Sequence, residues 1–231
     1  MFDLGRSFLA STERSPDATA VIDGDIRLTY AGWMDRVLRI VGAFDDLGIE
    51  RGGCVATALQ NTWEMATIHW ACQMAGIMVA PLNWRVKAEE LDFILPNASA
   101  RLIVFQDVSA DAVAGSAAAS ALPQVTVGGG TAGPAIPFSR LLENRLAAAS
   151  PRAGADDLSL LLYTSGTTGR PKGVPRRHRA ERAAALAHIA QNCYAYAERT
   201  LGVMPLYHTM GIRSLLSMAL IDGCFACLPR F

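Results

Sequence analysis

Between residues 18 and 105 the chain changes repeatedly from short strand-like runs to longer segments of helical period, and few architectures accept that exchange. Ala18 to Ile22 and Ile26 to Thr29 flank Asp23-Gly24-Asp25, which is a hairpin signal. Thr29 stands where a helix N-cap is expected. Tyr30, Trp33, Met34, Val37, Leu38, Val41 and Phe44 then follow a helical period, with a stop at Gly48. Val55 to Leu59 reads as a buried strand. Asn61, with Glu64 three residues on, has the form of a capping box that opens a helix running to Ala75. A strand over Ile77 to Ala80, a helix over Lys87 to Leu95 and a strand over Arg101 to Phe105 follow. This order predicts an α/β layer architecture with parallel strand pairs, its mixed and parallel sheets flanked by helices.

The pattern lapses between Asp107 and Ala155, where Ala, Gly and Ser dominate and Gly128-Gly129-Gly130 interrupts the chain. Few large apolar residues could anchor this stretch, which reads as peripheral and weakly structured, with helical tendency over Phe138 to Leu146. The chain thus divides into a first α/β portion (1–106), an Ala/Gly-rich peripheral stretch (107–155) and a last portion (156–231). At 231 residues, 51% apolar and 18% charged, it has the composition of a globular protein with ample core. A formal net charge of zero offers nothing to attract nucleic acid or an anionic membrane. The longest apolar stretches, such as Ala71 to Leu82, are broken by Gln73, Gly76 and Pro81 and are too short to span a bilayer. Met1-Phe2-Asp3 opens no secretory signal. Five cysteines, at 54, 72, 193, 224 and 227, lie in apolar contexts. Their odd number speaks against a disulfide framework and for buried, reduced thiols in a cytoplasmic protein. Cys224 and Cys227 form a C-x-x-C inside an apolar run, which reads as a buried strand and not as a metal site; no metal ligands are expected.

The densest chemical information lies in Leu158 to Val174. An apolar run, Leu158 to Tyr163, empties into a loop of glycines, hydroxyl residues and a lysine. Gly166, Gly169 and Gly173 let backbone N–H groups approach an anion closely. Thr164, Ser165, Thr167 and Thr168 supply hydroxyl donors, and Lys172 adds a mobile positive charge. Such a set suits a polyphosphate that must be gripped and partly released. The competing reading is an ordinary polar turn after a strand. A Walker A loop is excluded, because Gly166 followed by four residues reaches Pro171, where that pattern needs a glycine before its lysine.

Tyr163 to Val174, YTSGTTGRPKGV, resembles the signature loop of the adenylate-forming superfamily of acyl-CoA synthetases, luciferases and peptide-synthetase adenylation domains. The likeness extends to the Thr29-Tyr30 helix start, the Gly48 to Leu59 turn and strand and the Gly76 to Asn83 segment, and covers most of the chain except the Ala/Gly-rich stretch. Leu201 to Gly211 resembles the family's strand–loop–helix that ends beside the carboxylate substrate. Its Pro205-Leu206-Tyr207-His208 form resembles coenzyme A ligases, particularly aryl-CoA ligases, more than peptide-synthetase domains. The fold implied is the N-terminal part of the family's large domain, incomplete at residue 231. Pro175 departs from the family, which continues a strand there, and points to an edge or an early strand end.

The resemblance implies ATP-dependent activation of a small-molecule carboxylate as an acyl-adenylate, followed by thioester formation with coenzyme A, with Mg2+ accompanying ATP. It implies that Thr164, Ser165, Gly166, Thr167, Thr168, Gly169 and Lys172 hold the β- and γ-phosphates, that Lys172 is catalytic, and that Tyr207 and His208 line the acyl pocket. Alone, His208 would more often be structural. His178 reads as a cap-like residue opening the next helix, and His69 and His188 as helix residues without visible partners. Arg176, Arg177, Arg179 and Arg182 read as a solvated basic face, and Asp156-Asp157 as surface. The family's magnesium motif, ribose-binding aspartate and late catalytic lysine have no counterpart before Phe231, so the isolated chain is expected to lack turnover. An aromatic acid is the first expectation for the substrate and a fatty acid the second. Loading of a carrier protein, or a non-catalytic nucleotide-binding remnant, are the alternatives. A homo-oligomer is compatible with the sequence.

Overall fold

The structure is a computed structural model that describes residues 3–129, 134–164 and 171–230. Its helices are α1 (Leu4–Arg14), α2 (Tyr30–Asp46), α3 (Trp63–Ala75), α4 (Ala88–Asn97), α5 (Ala110–Ala114), α6 (Ala117–Ser120), α7 (Phe138–Leu141), α8 (His178–Gln191) and α9 (Thr209–Leu220). Its strands are β1 (Thr19–Asp23), β2 (Ile26–Thr29), β3 (Cys54–Ala58), β4 (Met78–Pro81), β5 (Ala100–Gln106), β6 (Gln124–Val127), β7 (Ile136–Pro137), β8 (Leu158–Thr164), β9 (Lys172–Arg177), β10 (Arg199–Gly202) and β11 (Cys224–Cys227). Among the described residues they make a seven-stranded sheet ordered β7-β6-β5-β3-β4-β8-β9 and a four-stranded sheet ordered β10-β11-β1-β2. All pairs in the larger sheet are parallel except β8–β9. The smaller sheet is parallel except for the β1–β2 hairpin, which forms at the predicted Asp23-Gly24-Asp25 turn.

Both faces of the larger sheet are covered, as a parallel sheet requires. Every residue of β3 is buried. Val55, Val79, Leu102, Leu160 and Leu162 join a core shared with α1, α2, α3 and α9 and with the smaller sheet. Ala56, Ala80, Ile103 and Leu161 point the other way, to a second core under α4, α5 and α6. Phe8 is the hub of the larger core: its ring stacks on Trp70 at 4.5 Å and meets Trp33 edge-on at 5.2 Å. Burying a phenylalanine completely contributes roughly 1.5–3 kcal/mol. Trp33 satisfies its indole N–H at Thr67 Oγ1, 2.9 Å away, so the aromatic cluster carries that polar group without loss.

Local signals placed most of these elements. Thr29 caps α2 by accepting the Gly32 N–H, and Gly76 ends α3 in the left-handed region at φ 71°. Three expectations need correction. First, Asn61 does not cap α3; Thr62 does, accepting the Met65 N–H, and the Asn61 amide is spent elsewhere. Second, the stretch 107–155 lies at the sheet's outer edge but is not weakly structured. It carries α5, α6, α7, β6 and β7, and β6 adds a parallel strand whose Val125 and Val127 are buried. The helical tendency over Phe138 to Leu146 shortens to α7. Third, Cys193 is exposed, whereas Cys54, Cys72, Cys224 and Cys227 are buried and burial raises their thiol pKa values. Pro175 does mark an edge, because β9 is the last strand of its sheet, but the strand runs on to Arg177.

Candidate active site

The hydroxyl- and glycine-rich loop is the connection of an antiparallel hairpin. Thr164 and Lys172 face each other across β8 and β9 and form its two feet. Ser165, Gly166, Thr167, Thr168 and Gly169 lie outside the described residues. The ladder from Leu158↔Arg177 to Thr164↔Lys172 fixes where the loop leaves the sheet. Buried Leu160, Leu161 and Leu162 anchor β8 from both faces. Lys172 is exposed at that end.

The hairpin end opens onto a cleft of about 420 Å³ at the carboxyl ends of β4 and β8. Such ends are where open α/β sheets place ligands. Tyr163, Thr164 and Pro171 form one wall. Pro81, Leu82, Asn83, Arg85 and Val86 line the β4 side, and Tyr207 and His208 close the third. Of the sequence-predicted site residues, the structure therefore brings Thr164, Tyr207 and His208 to one cavity and sets Lys172 beside Thr164. Burial pushes the Tyr163 hydroxyl up to about 12, and it donates to Asn97 Oδ1 at 2.7 Å, so it serves as a neutral donor that ties β8 to α4. His208 is the N-cap of α9: its Nδ1 accepts the Met210 N–H at 3.3 Å. That bond orients the ring, leaves Nε2 as the remaining polar atom and suits a wall residue.

The surrounding histidines and arginines have defined structural duties. His178 is buried and its Nδ1 accepts the Leu4 N–H at 3.2 Å, so it satisfies a free donor at the start of α1 and does not cap its own helix. Arg177 and Arg179 of the basic run are exposed as expected, whereas Arg176 and Arg182 are partly buried. Arg179 pairs with Asp156 at 3.1 Å, Arg177 donates to the Asp156 carbonyl and Arg182 donates to Ser7 Oγ at 3.1 Å. Asp157, expected at the surface, accepts from the Gly154 N–H at 2.8 Å and pairs with Arg51 at 2.7 Å. Arg176 on β9 reaches Glu181 at 3.0 Å and donates to Thr209 Oγ1 at 3.3 Å, which joins the hairpin to the first turn of α9.

Sequence reasoning missed three contributors. Arg85 lies 3.7 Å over the Trp84 ring and faces the cleft, and its backbone N–H is held by Asn83 Oδ1 at 3.0 Å. The Asn83-Trp84-Arg85 run held that signal, an Asx residue two positions before a cation. Arg176 was counted only as charge. Asn61 was read as a local cap, although its partners lie far along the chain. Among the described residues no group of three or more His, Cys, Asp or Glu side chains is placed to hold a metal ion. No helix among them is long and apolar enough to cross a membrane.

The chain matches the family model described as AMP-binding enzyme over residues 8–231. It is 29% identical over 211 residues to the long-chain-fatty-acid–CoA ligase FadD13 of Mycobacterium tuberculosis, covering 90% of this chain and 41% of that protein. It is 32% identical over 222 residues to a feruloyl-CoA synthase of an Amycolatopsis species, covering 90% of this chain and 40% of that protein. It superposes on the inhibitor-bound N-terminal domain of FACL13 from Mycobacterium tuberculosis with a TM-score of 0.87 at 26% identity, over 100% of this chain and 58% of that one. The chain thus spans about two fifths of the length of the curated relatives it matches, 40% and 41%. With a family match that takes in residues 8–231, the chain belongs to the AMP-binding enzyme family.

Proposed function

We propose that this chain supplies the phosphate loop and one wall of the carboxylate pocket of an AMP-forming acid–thiol ligase. The observation that carries the reading is the convergence of Thr164, Tyr207 and His208 on one cleft, with Lys172 paired to Thr164 at its rim. A carboxylate oxygen attacks the α-phosphorus of ATP, an acyl-adenylate forms, and pyrophosphate leaves with the electron pair of the broken P–O bond. A thiol then displaces AMP from the activated carbonyl. In the first step Thr164, Ser165, Thr167 and Thr168, with the amides of Gly166 and Gly169, hold the β- and γ-phosphates. Lys172 offsets the charge that develops on the departing pyrophosphate. Tyr207 and His208 pack against the acyl part of the carboxylate.

The names of the relatives, a fatty-acid ligase and a feruloyl-CoA synthase, support coenzyme A as the thiol acceptor and leave both fatty and aromatic acids as substrate classes. An aromatic acid is preferred on the Pro205-Leu206-Tyr207-His208 form. The 231 residues by themselves are expected to give little or no turnover.

Lys172→Met in the native polypeptide tests the assignment. Loss of one well-placed donor or charge of this kind costs roughly 3–4 kcal/mol, a rate loss of 10²–10³. Adenylate formation should fall by that factor while the circular dichroism spectrum stays unchanged, and unaltered pyrophosphate release would remove Lys172 from the mechanism. Coenzyme A consumption in the same assay supports the ligase, and transfer only to a pantetheinyl carrier supports a carrier-loading domain.

A further inference from the structure

We infer that Asn61 is a positioning residue for the pocket wall, clamping the loop that carries Tyr207 and His208; the functional half of this inference rests on the proposed acyl-pocket role of those two side chains. Asn61 follows β3, far in sequence from the loop, and is 5% exposed. Its Nδ2 donates to the Gly202 carbonyl at 2.8 Å and to the Met204 carbonyl at 2.8 Å, and its Oδ1 accepts the Leu206 N–H at 2.7 Å. A side-chain amide has two donors and one acceptor oxygen, and here all three functions go to one five-residue span of backbone, Gly202 to Leu206. The span begins at Gly202, the last residue of β10 and still paired with Cys227, but Val203 to Leu206 have left that ladder and have not yet entered α9, so neither element holds them. The two residues after it are Tyr207 and His208.

The clamp has a footing of its own. Gln106, at the end of β5, accepts the Gln60 N–H through Oε1 at 2.7 Å, and Ser109 donates to the Ala58 carbonyl at 2.7 Å. The turn that carries Asn61 is thereby fixed to the end of the larger sheet. On the far side, the loop rests on Gly211 in the first turn of α9, where an added Cβ would lie 2.1 Å from the Pro205 carbonyl oxygen and 2.6 Å from that of Met204. The loop is pinned between a sheet-anchored amide and a helix surface stripped of side chain. A buried, fully used amide is strongly directional, since leaving any of its partners unsatisfied in the interior is costly. The larger sheet, which also carries the phosphate-loop hairpin, therefore sets the distance from that hairpin to the wall residues.

The test uses Asn61→Ala and Asn61→Asp. The first removes all three bonds. The second keeps an acceptor for Leu206 N–H but turns an oxygen toward two carbonyls. Amide hydrogen exchange of the His208 N–H, which bonds to the Pro205 carbonyl and does not touch Asn61, reports on the loop itself. We expect its exchange to rise tenfold or more in both variants, with amides in β3 and β8 within twofold of the parent. In the native polypeptide, carboxylate-dependent pyrophosphate exchange should then show KM for the carboxylate raised at least fivefold and KM for ATP within twofold. Unchanged exchange at His208, or an equal rise throughout the chain, overturns the positioning role. If the Asn61 variants loosen His208 while Tyr207→Ala and His208→Ala leave the carboxylate KM unchanged, the positioning stands and the pocket reading falls.

Discussion

Acid should weaken this fold well before its carboxylates titrate, and His69 should be the main cause. His69 sits on α3, fully buried, edge-on to the Trp70 ring at 5.6 Å, and neither of its ring nitrogens has a hydrogen-bond partner among the described residues. Burial, with a smaller contribution from His178, lowers its pKa from the ordinary 6.5 to about 3. The folded chain therefore keeps the imidazole neutral while the unfolded chain protonates it, and the unfolded state binds more protons as the pH falls below 6.5. Stability from this residue is complete above that value and is lost progressively toward pH 3. Each tenfold difference in proton affinity between the folded and unfolded chains corresponds to about 1.36 kcal/mol, so the ceiling is about 5 kcal/mol, and the loss between pH 7 and pH 5 is about 2 kcal/mol. His178, whose pKa burial also lowers, adds to the loss in the same direction. Urea unfolding at pH 7, 6 and 5 measures the slope. His69→Leu, of similar volume and without an ionisable group, should flatten it by about 2 kcal/mol over that range while costing little at pH 7. Parallel loss of stability in parent and variant would show that His69 does not carry the effect.

Two more substitutions probe the supports of the fold and site. Gly211→Ala forces a Cβ into the Pro205 carbonyl and should cost about 1–3 kcal/mol in thermal or urea unfolding, an overpacking penalty; wild-type stability would mean the loop yields freely. Asp222 is buried between Arg14 at 2.6 Å, Tyr196 at 2.8 Å and Ser15 at 2.9 Å; burial raises its carboxyl pKa, but the hydrogen bonds from Arg14, Tyr196, Ser15 and Ser11 outweigh that and hold it low. Asp222→Ala should therefore cost about 1–2 kcal/mol by removing those bonds, since Arg14 and Tyr196 keep access to water, and a change under about 0.5 kcal/mol would show that water replaces the carboxylate fully.

Some features were legible because they are local. The helical period from Tyr30 to Phe44, the Thr29 cap and the Asp23-Gly24-Asp25 turn each depend on neighbours within a few residues, and each formed where expected. The run Leu158 to Tyr163 read as a strand from its continuous apolar character, and Ser159 to Leu162 are buried in a sheet covered on both faces. The glycine- and hydroxyl-rich segment after it stood out for the same reason: its residue types sit side by side.

Tertiary structure decided what depends on partners far along the chain. The Ala/Gly-rich stretch gives little local signal, yet β6 forms because β5 presents an open parallel edge that satisfies its backbone groups and Val125 and Val127 find the sheet's core. Asn61 and Glu64 had the spacing of a capping box, but Thr62 stands one residue nearer the helix, and the Asn61 amide is drawn to carbonyls 141 and 143 residues away. His178 likewise serves the first turn of α1 from 174 residues away. Sequence alone specified the segments whose signals are local, such as α2 and the β1–β2 turn, because those rest on adjacent residues. Only the folded chain could bring Tyr207 and His208 to the cleft beside Thr164, because that distance is set by buried hydrogen bonds between segments that no local pattern connects.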